Sequence, residues 1–83
     1  MVEENSVFIV VVNDYLGNES AIVGVWDNLE ELGKYLTNKL KIPYFIVSKM
    51  VSSANNGGYA NLYLEGLEIE IIETTLNKPI GES

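Results

Sequence analysis

Long apolar stretches separated by short polar ones dominate the first part of this chain. Six consecutive apolar residues, rich in β-branched side chains, lie between Ser6 and Asn13 and predict a central strand that is buried on both faces. Ser20 to Trp26 predicts a second strand, and Gly17 and Asn18 favour a tight antiparallel turn between the two. Gly24, inside the second strand, predicts a bulge or another close approach of two backbones.

The segment from Asp27 to Leu40 has a different pattern, typical of an amphipathic helix. Either Asp27 or Asn28 is a suitable N-cap, and Pro43 prevents the helix from continuing. Gly33 lies beside the apolar stripe, where glycine weakens a helix unless another backbone comes close, so it predicts a helix–sheet contact. Four leucines form the stripe: Leu29, Leu32, Leu36 and Leu40.

The pattern after Pro43 favours strands again. Tyr44 to Val51 is apolar and β-branched, which predicts a third strand. Ser52 to Gly58 contains Asn-Asn-Gly-Gly, which predicts a turn between two strands and, as the alternative, a ligand-binding loop. Tyr59 to Leu64 and Leu67 to Leu76 then predict a hairpin that turns at Glu65 and Gly66.

These elements predict an α+β fold in one domain spanning residues 1–83, with an ordered core at 6–76 and a tail at 77–83. The expected architecture is an antiparallel or mixed sheet of four or five strands, with one helix on one face and the order ββαβββ. The first strand carries Val7, Ile9 and Val11 opposite a second apolar set, and a single helix covers only one of them. We therefore expect the uncovered set to pack against a second copy, in a homodimer or larger assembly, or against an obligate partner. The alternative is that the terminal segments fold over it.

Charge and composition narrow the functional classes. Twelve acidic residues oppose five lysines, so the net charge is −7, which disfavours direct binding to nucleic acid or to anionic membranes. The chain has no cysteine and no histidine, and therefore lacks the common nucleophile, base and transition-metal ligands. The N-terminal apolar stretch follows two glutamates and is short, which predicts neither a signal peptide nor a membrane span and favours a cytoplasmic location.

The acidic residues near the C-terminus are the strongest candidates for a partner-binding site. Glu68 and Glu70 fall on one face of the last strand, about 7 Å apart at a rise of roughly 3.4 Å per residue. Such a row of carboxylates suits a protein that normally binds phosphates, although a simple solvated face that discourages strand pairing is the plainer reading. A glycosidase pair or a magnesium site lacks the supporting residues that either requires. The complete candidate set is Glu65, Glu68, Glu70, Glu73, Tyr15 and Tyr59, the tyrosines being included because they are enriched at protein interfaces.

The stretch Gly24-Val25-Trp26 followed by an Asp-x-x-Glu-Glu helix start resembles a pattern in small uncharacterised proteins of phages and mobile elements of Gram-positive bacteria. The resemblance covers residues 6–40, although Leu32 stands where those proteins often carry alanine. It implies an accessory gene product without known catalysis, a class that includes inhibitors of host defence enzymes. It assigns no functional residue.

We therefore expect a non-catalytic, acidic, protein-binding accessory or regulatory protein that needs no cofactor and no metal. Its partner would be a protein, and a basic nucleic-acid-binding one fits the charge, as for an anti-CRISPR-like or DNA-mimic-like inhibitor of a defence enzyme. The alternative is a small-ligand-binding sponge that uses the Asn-Asn-Gly-Gly loop.

Overall fold

The computed structural model describes residues 6–75, which form a sheet and two helices. The α+β class is confirmed, and the four-stranded antiparallel sheet lies within the prediction of four or five strands. Within residues 6–75, however, the order is ββααββ rather than ββαβββ, with two helices rather than one. The elements are β1 (Ser6–Asp14), β2 (Glu19–Trp26), α1 (Leu29–Asn38), α2 (Tyr44–Gly57), β3 (Tyr59–Leu64) and β4 (Leu67–Thr75).

Two hairpins make up the sheet, and all neighbouring strands are antiparallel. The strand order is β2-β1-β4-β3, so β1 and β4 pair along the centre while β2 and β3 form the two edges. The predicted central position of β1 is confirmed. Its pairing with β4 runs from Ser6 opposite Thr75 to Asp14 opposite Leu67.

Both predicted hairpin turns are present. In the first, Asp14 Oδ1 accepts hydrogen bonds from the backbone N–H groups of Leu16 and Gly17 at 3.1 and 2.9 Å. Glu65 and Gly66 form the second, and both have positive φ (44° and 88°), as expected for a two-residue turn that matches the strand twist. The register of β1 and β2 shifts between Val10 and Val11, which confirms the bulge predicted near Gly24.

Helix α1 is shorter than the predicted range. Asn28 is its N-cap, and its Oδ1 accepts the backbone N–H groups of Glu30 and Glu31 at 2.7 and 3.2 Å. Leu32 and Leu36 are fully buried, as the apolar stripe predicted. The expected contact of Gly33 with the sheet is wrong, because Gly33 faces α2. A Cβ atom added at Gly33 would lie 3.6 Å from side-chain carbons of Val47 and Val51.

The prediction of a strand at Tyr44 to Val51 and a turn at Ser52 to Gly58 is also wrong, since these residues form α2 and its C-cap. Val47, Met50 and Ala54 recur at steps of three and four residues and are buried, so helical spacing extends through the supposed turn. Gly58 has a φ of 75° and donates its N–H to Ala54 O at 2.8 Å, a common way for a helix to end.

Both helices cover the same face of the sheet. On β1 this face carries Phe8, Val10 and Val12, which pack with Leu32, Leu36 and the buried side of α2. The opposite face is named here the outer face. Along the four strands it carries Val7, Ile9, Val11, Asn13, Ser20, Ile22, Val25, Tyr59, Asn61, Tyr63, Glu68, Glu70, Ile72 and Thr74.

The outer face is less exposed than the sequence suggested. Val7 and Ile9 are only 7% and 6% accessible, so the apolar set of β1 opposite the helices is not a bare surface. The predicted strand end at Leu76 and the tail at 77–83 lie outside the described residues. Within residues 6–75, no helix is long and apolar enough to span a membrane.

Candidate functional site

Polar and aromatic side chains gather at the end of the outer face near the two hairpin turns. Strand pairing sets Asn13 of β1 opposite Glu68 of β4, and Glu68 opposite Tyr63 of β3. One step along, Glu70 lies opposite Asn61. We name this group the acidic–tyrosine cluster, and it comprises Asn13, Tyr15, Tyr59, Asn61, Tyr63, Glu68 and Glu70.

Glu68 lies at the centre of the cluster and is only 6% accessible, because its neighbours surround it. Its Oε1 accepts a hydrogen bond from the Tyr15 hydroxyl at 2.5 Å and a longer one from Asn13 Nδ2 at 3.4 Å. Its Oε2 accepts a hydrogen bond from Asn61 Nδ2 at 2.9 Å. The solvated face that the sequence favoured for this strand is wrong for Glu68, which is buried. Both oxygens of this carboxylate are satisfied by neutral donors.

Glu70 is half-buried and joins the same network. Its Oε1 accepts Asn13 Nδ2 at 2.8 Å, and its Oε2 accepts the Tyr59 hydroxyl at 2.6 Å. Asn13 therefore bridges the two carboxylates, and its Oδ1 in turn accepts the Ser20 hydroxyl at 2.6 Å. The network fixes both acids in place across three strands.

The hydrogen bonds favour the ionised form of Glu68. Those from Tyr15 and Asn61 lower the pKa of Glu68, which outweighs the opposing effect of burial. In return, the hydrogen bond to Glu68 raises the pKa of Tyr15 to about 12, and that to Glu70 raises the pKa of Tyr59 to about 12. The negative charge of Glu68 also raises the pKa of Tyr63. Near neutral pH Glu68 is therefore an anion, and the three tyrosines around it are neutral phenols.

Positive charge is segregated from this face. The four strands contain no lysine or arginine, and the lysines of residues 6–75 all lie on the helices or just after α1. In that part of the chain the one ion pair joins Lys34 Nζ and Glu31 Oε2 at 3.4 Å, on the exposed surface of α1. The two carboxylates of the cluster therefore have no cation beside them within the described structure.

The tyrosine rings form an exposed rim around these anions. Tyr15, Tyr59 and Tyr63 are 59%, 44% and 66% accessible. The hydroxyls of Tyr15 and Tyr59 nevertheless donate hydrogen bonds to the carboxylates of Glu68 and Glu70. An aromatic ring held by its own hydroxyl presents a rigid apolar surface, and its face attracts lysine and arginine side chains.

The structure brings together four of the six predicted partner-binding residues. Glu68, Glu70, Tyr15 and Tyr59 belong to the cluster, whereas Glu65 lies in the β3–β4 turn. Glu73 pairs with Phe8, on the helix side of the sheet, and its backbone N–H donates to Gly58 O at 2.9 Å.

Sequence reasoning missed Asn13, Asn61 and Tyr63 as members of the site. The signal for two of them was present, because Tyr59, Asn61 and Tyr63 alternate with apolar residues and so share a face of β3. Asn13 carried no comparable signal, since its role depends on the pairing of β1 with β4.

The predicted ligand loop does not exist as a loop, because Asn-Asn-Gly-Gly forms the last turn of α2 and its cap. A groove of about 380 Å³ lies instead between α1 and α2, beside Gly33 and Val51. Among residues 6–75, no group of three or more acidic side chains is arranged to hold a metal ion.

Comparison of the chain with protein-family models, with curated proteins and with solved structures finds no match.

Proposed function

We propose that this protein is a non-catalytic, acidic protein-binding protein of an accessory or regulatory kind. Its binding surface is the acidic–tyrosine cluster, and its partner presents lysine or arginine side chains there. The observation that carries the proposal is the ionised, buried Glu68 beside Glu70, with neutral hydrogen-bond donors and, among residues 6–75, no cation.

The cluster concentrates negative charge and holds it in a fixed geometry. Two carboxylates at i and i+2 on a strand lie on the order of 7 Å apart, and in the part of the chain that the structure describes no neighbouring cation relieves their repulsion. A basic partner relieves that repulsion on binding. Because Asn13, Tyr15 and Tyr59 already fix the carboxylates, little side-chain entropy is lost when the partner binds.

A nucleic-acid-binding protein is the partner class that fits this surface. Such proteins carry clustered lysine and arginine for phosphate contacts, and a rigid row of carboxylates can occupy the same groups. The resemblance to accessory proteins of phages and mobile elements supports an inhibitor of a host defence enzyme, acting in the cytoplasm. Catalysis by the two acids is disfavoured, since their oxygens are engaged by neighbouring side chains and the pKa of Glu68 is lowered rather than raised.

The test is affinity capture from a bacterial host lysate with matched variants. Reversing Glu68 and Glu70 to lysine would disrupt the structure, because Glu68 is buried. Glu68→Gln/Glu70→Gln keeps the shape and removes both charges. Glu30→Gln/Glu31→Gln on the exposed side of α1 changes the net charge equally and is the control.

We expect wild type and the α1 variant, Glu30→Gln/Glu31→Gln, to capture a basic nucleic-acid-binding protein. The cluster variant, Glu68→Gln/Glu70→Gln, should no longer capture that protein, although its circular dichroism spectrum should match that of wild type. Capture should also weaken as the salt concentration rises, because the contact is electrostatic. Equal capture by the two variants, or a main prey that has no affinity for nucleic acid, would contradict the proposal.

A further inference from the structure

A second surface of the sheet is independent of the cluster and lies along the edge strand β2. Ile22, Val23 and Val25 are 58%, 38% and 56% accessible, and Ala21 between the turn and these residues is exposed as well. From Ser20 to Trp26 the strand carries no charge and no proline, the two devices that most often protect a free edge.

The exposed apolar residues of β2 point to both sides of the sheet. Ile22 and Val25 pair with Val11 and Ile9, and so lie on the outer face. Ala21 pairs with Val12, and so lies on the helix side. A partner that binds one face of the sheet would leave the apolar side chains on the other face exposed. A strand that pairs along the edge places its own side chains beside those of β2 on both faces.

The other edge strand differs. Helix α2 packs against β3, and Ala60 of β3 is buried in the core. On the central strand, Val7 and Ile9 are buried too. Among the described strands, exposed aliphatic surface is therefore concentrated on β2, at the side of the sheet away from β3 and β4.

We propose that β2 pairs antiparallel with β2 of a second copy across a two-fold axis, so that two four-stranded sheets become one continuous sheet. An antiparallel strand paired with itself is self-complementary, which is what a two-fold interface requires. The pairing would bury on the order of 1,000 Å² in total, near the lower limit for a specific interface, so we expect a dimer that forms at micromolar concentration.

Charge favours a second copy at this edge. The chain has a net charge of −7, and two copies repel each other except where neutral surfaces meet. The uncharged stretch from Ser20 to Trp26 is such a surface, and a strongly basic partner finds no anion between Glu19 and Asp27. The acidic–tyrosine cluster centres on β3 and β4, away from the axis, so each copy keeps it accessible.

The first test is sedimentation equilibrium of the purified chain across micromolar concentrations. We expect a dimer, and Ile22→Lys should raise its dissociation constant by at least about 100-fold, because two lysines then meet near the axis. Phe45→Lys is the control, since Phe45 is similarly exposed (66%) but lies on α2. A strictly monomeric wild type, or dissociation by Phe45→Lys but not by Ile22→Lys, overturns the proposal.

The second test uses the absence of native cysteine. Single-cysteine variants at Ala21, Ile22, Val23 and Phe45 are oxidised in the folded state and separated by non-reducing electrophoresis. A disulfide needs Cα atoms within about 7 Å, so we expect efficient cross-linking at one or two of the β2 positions and none at Phe45. Cross-linking that is equal at all four positions, or strongest at Phe45, would place the contact elsewhere and refute pairing through β2.

Discussion

Two adjacent glycines at the end of α2 should respond in opposite ways to the same substitution. Gly57 is the last residue of the helix, and a Cβ atom added there meets nothing within 4 Å. Gly58 has a left-handed φ of 75°, and an added Cβ would lie 3.0 Å from Glu73 Oε1. Alanine is therefore compatible with position 57 and strained at position 58.

The expected magnitudes follow from these geometries. Gly57→Ala should raise the free energy of unfolding by up to about 1 kcal/mol, because alanine favours the helical state and restricts the unfolded chain. Gly58→Ala should lower it by about 1–2 kcal/mol, the cost of the left-handed conformation for a residue with a Cβ atom. The two variants should then differ by roughly 10 °C in Tm, given about 4–8 °C per kcal/mol for a domain of this size.

Urea denaturation followed by circular dichroism, together with thermal melts, measures both changes. The comparison discriminates between a helix end and a hairpin tip, since an Asn-Gly-Gly hairpin turn requires left-handed conformations at its central residues. Equal destabilisation by both variants, or a larger loss for Gly57→Ala, would refute the assignment of these residues to α2.

Substitutions in α1 and changes of pH should also alter the stability of the protein. Gly33→Ala should raise the free energy of unfolding by up to about 1 kcal/mol, since the new methyl group meets α2 at an ordinary contact distance. Leu36→Ala should lower the free energy of unfolding by about 2–5 kcal/mol, because Leu36 is fully buried. Chemical denaturation measures both changes. Tyr15 and Tyr59 should titrate near pH 12 when followed by ultraviolet absorbance. Because the pKa of each phenol in the folded protein is raised above 10.0, their contribution to stability is present below pH 10 and is lost as the pH rises toward 12. The pKa of Glu68 is lowered from 4.5, so its contribution to stability is present above pH 4.5 and is lost as the pH falls through the lower pKa of the folded protein. Thermal melts of wild type and Glu68→Gln at acidic pH should reveal this loss.

The sequence was most informative where structure depends on near neighbours. The period of two in β4 correctly separated Ile69 and Ile71 from Glu68 and Glu70, and the Glu65-Gly66 turn was recognisable from its two residues alone. The N-terminus of α1 was recognisable for the same reason, because Asn28 bonds to backbone groups only two and three residues away.

Helix α2 was missed because its first residues suit either state. Tyr44 to Val51 is rich in aromatic and β-branched residues, which favour strands, and Asn-Gly after them is a common hairpin signal. The buried series of Val47, Met50 and Ala54 becomes visible only if the pattern is continued through the polar residues that follow. Packing against α1 and the sheet then outweighs the local propensity.

The acidic–tyrosine cluster could be predicted only in part. The acids and two of the tyrosines were identified by type and alternation, but the burial of Glu68 follows from the position of β1 beside β4. That pairing joins residues more than fifty positions apart, as the Asn13–Glu68 hydrogen bond shows. No local pattern encodes it.

The most direct measurement of the central proposal is competition. The protein captured from the lysate is bound to labelled nucleic acid, and the anisotropy is followed as this chain is added. Wild type and Glu30→Gln/Glu31→Gln should displace the nucleic acid at the same concentration, whereas Glu68→Gln/Glu70→Gln should require at least about tenfold more, equivalent to about 1.4 kcal/mol of lost binding energy. Displacement that is equally efficient with the cluster variant, or no displacement by wild type, would contradict binding through this face.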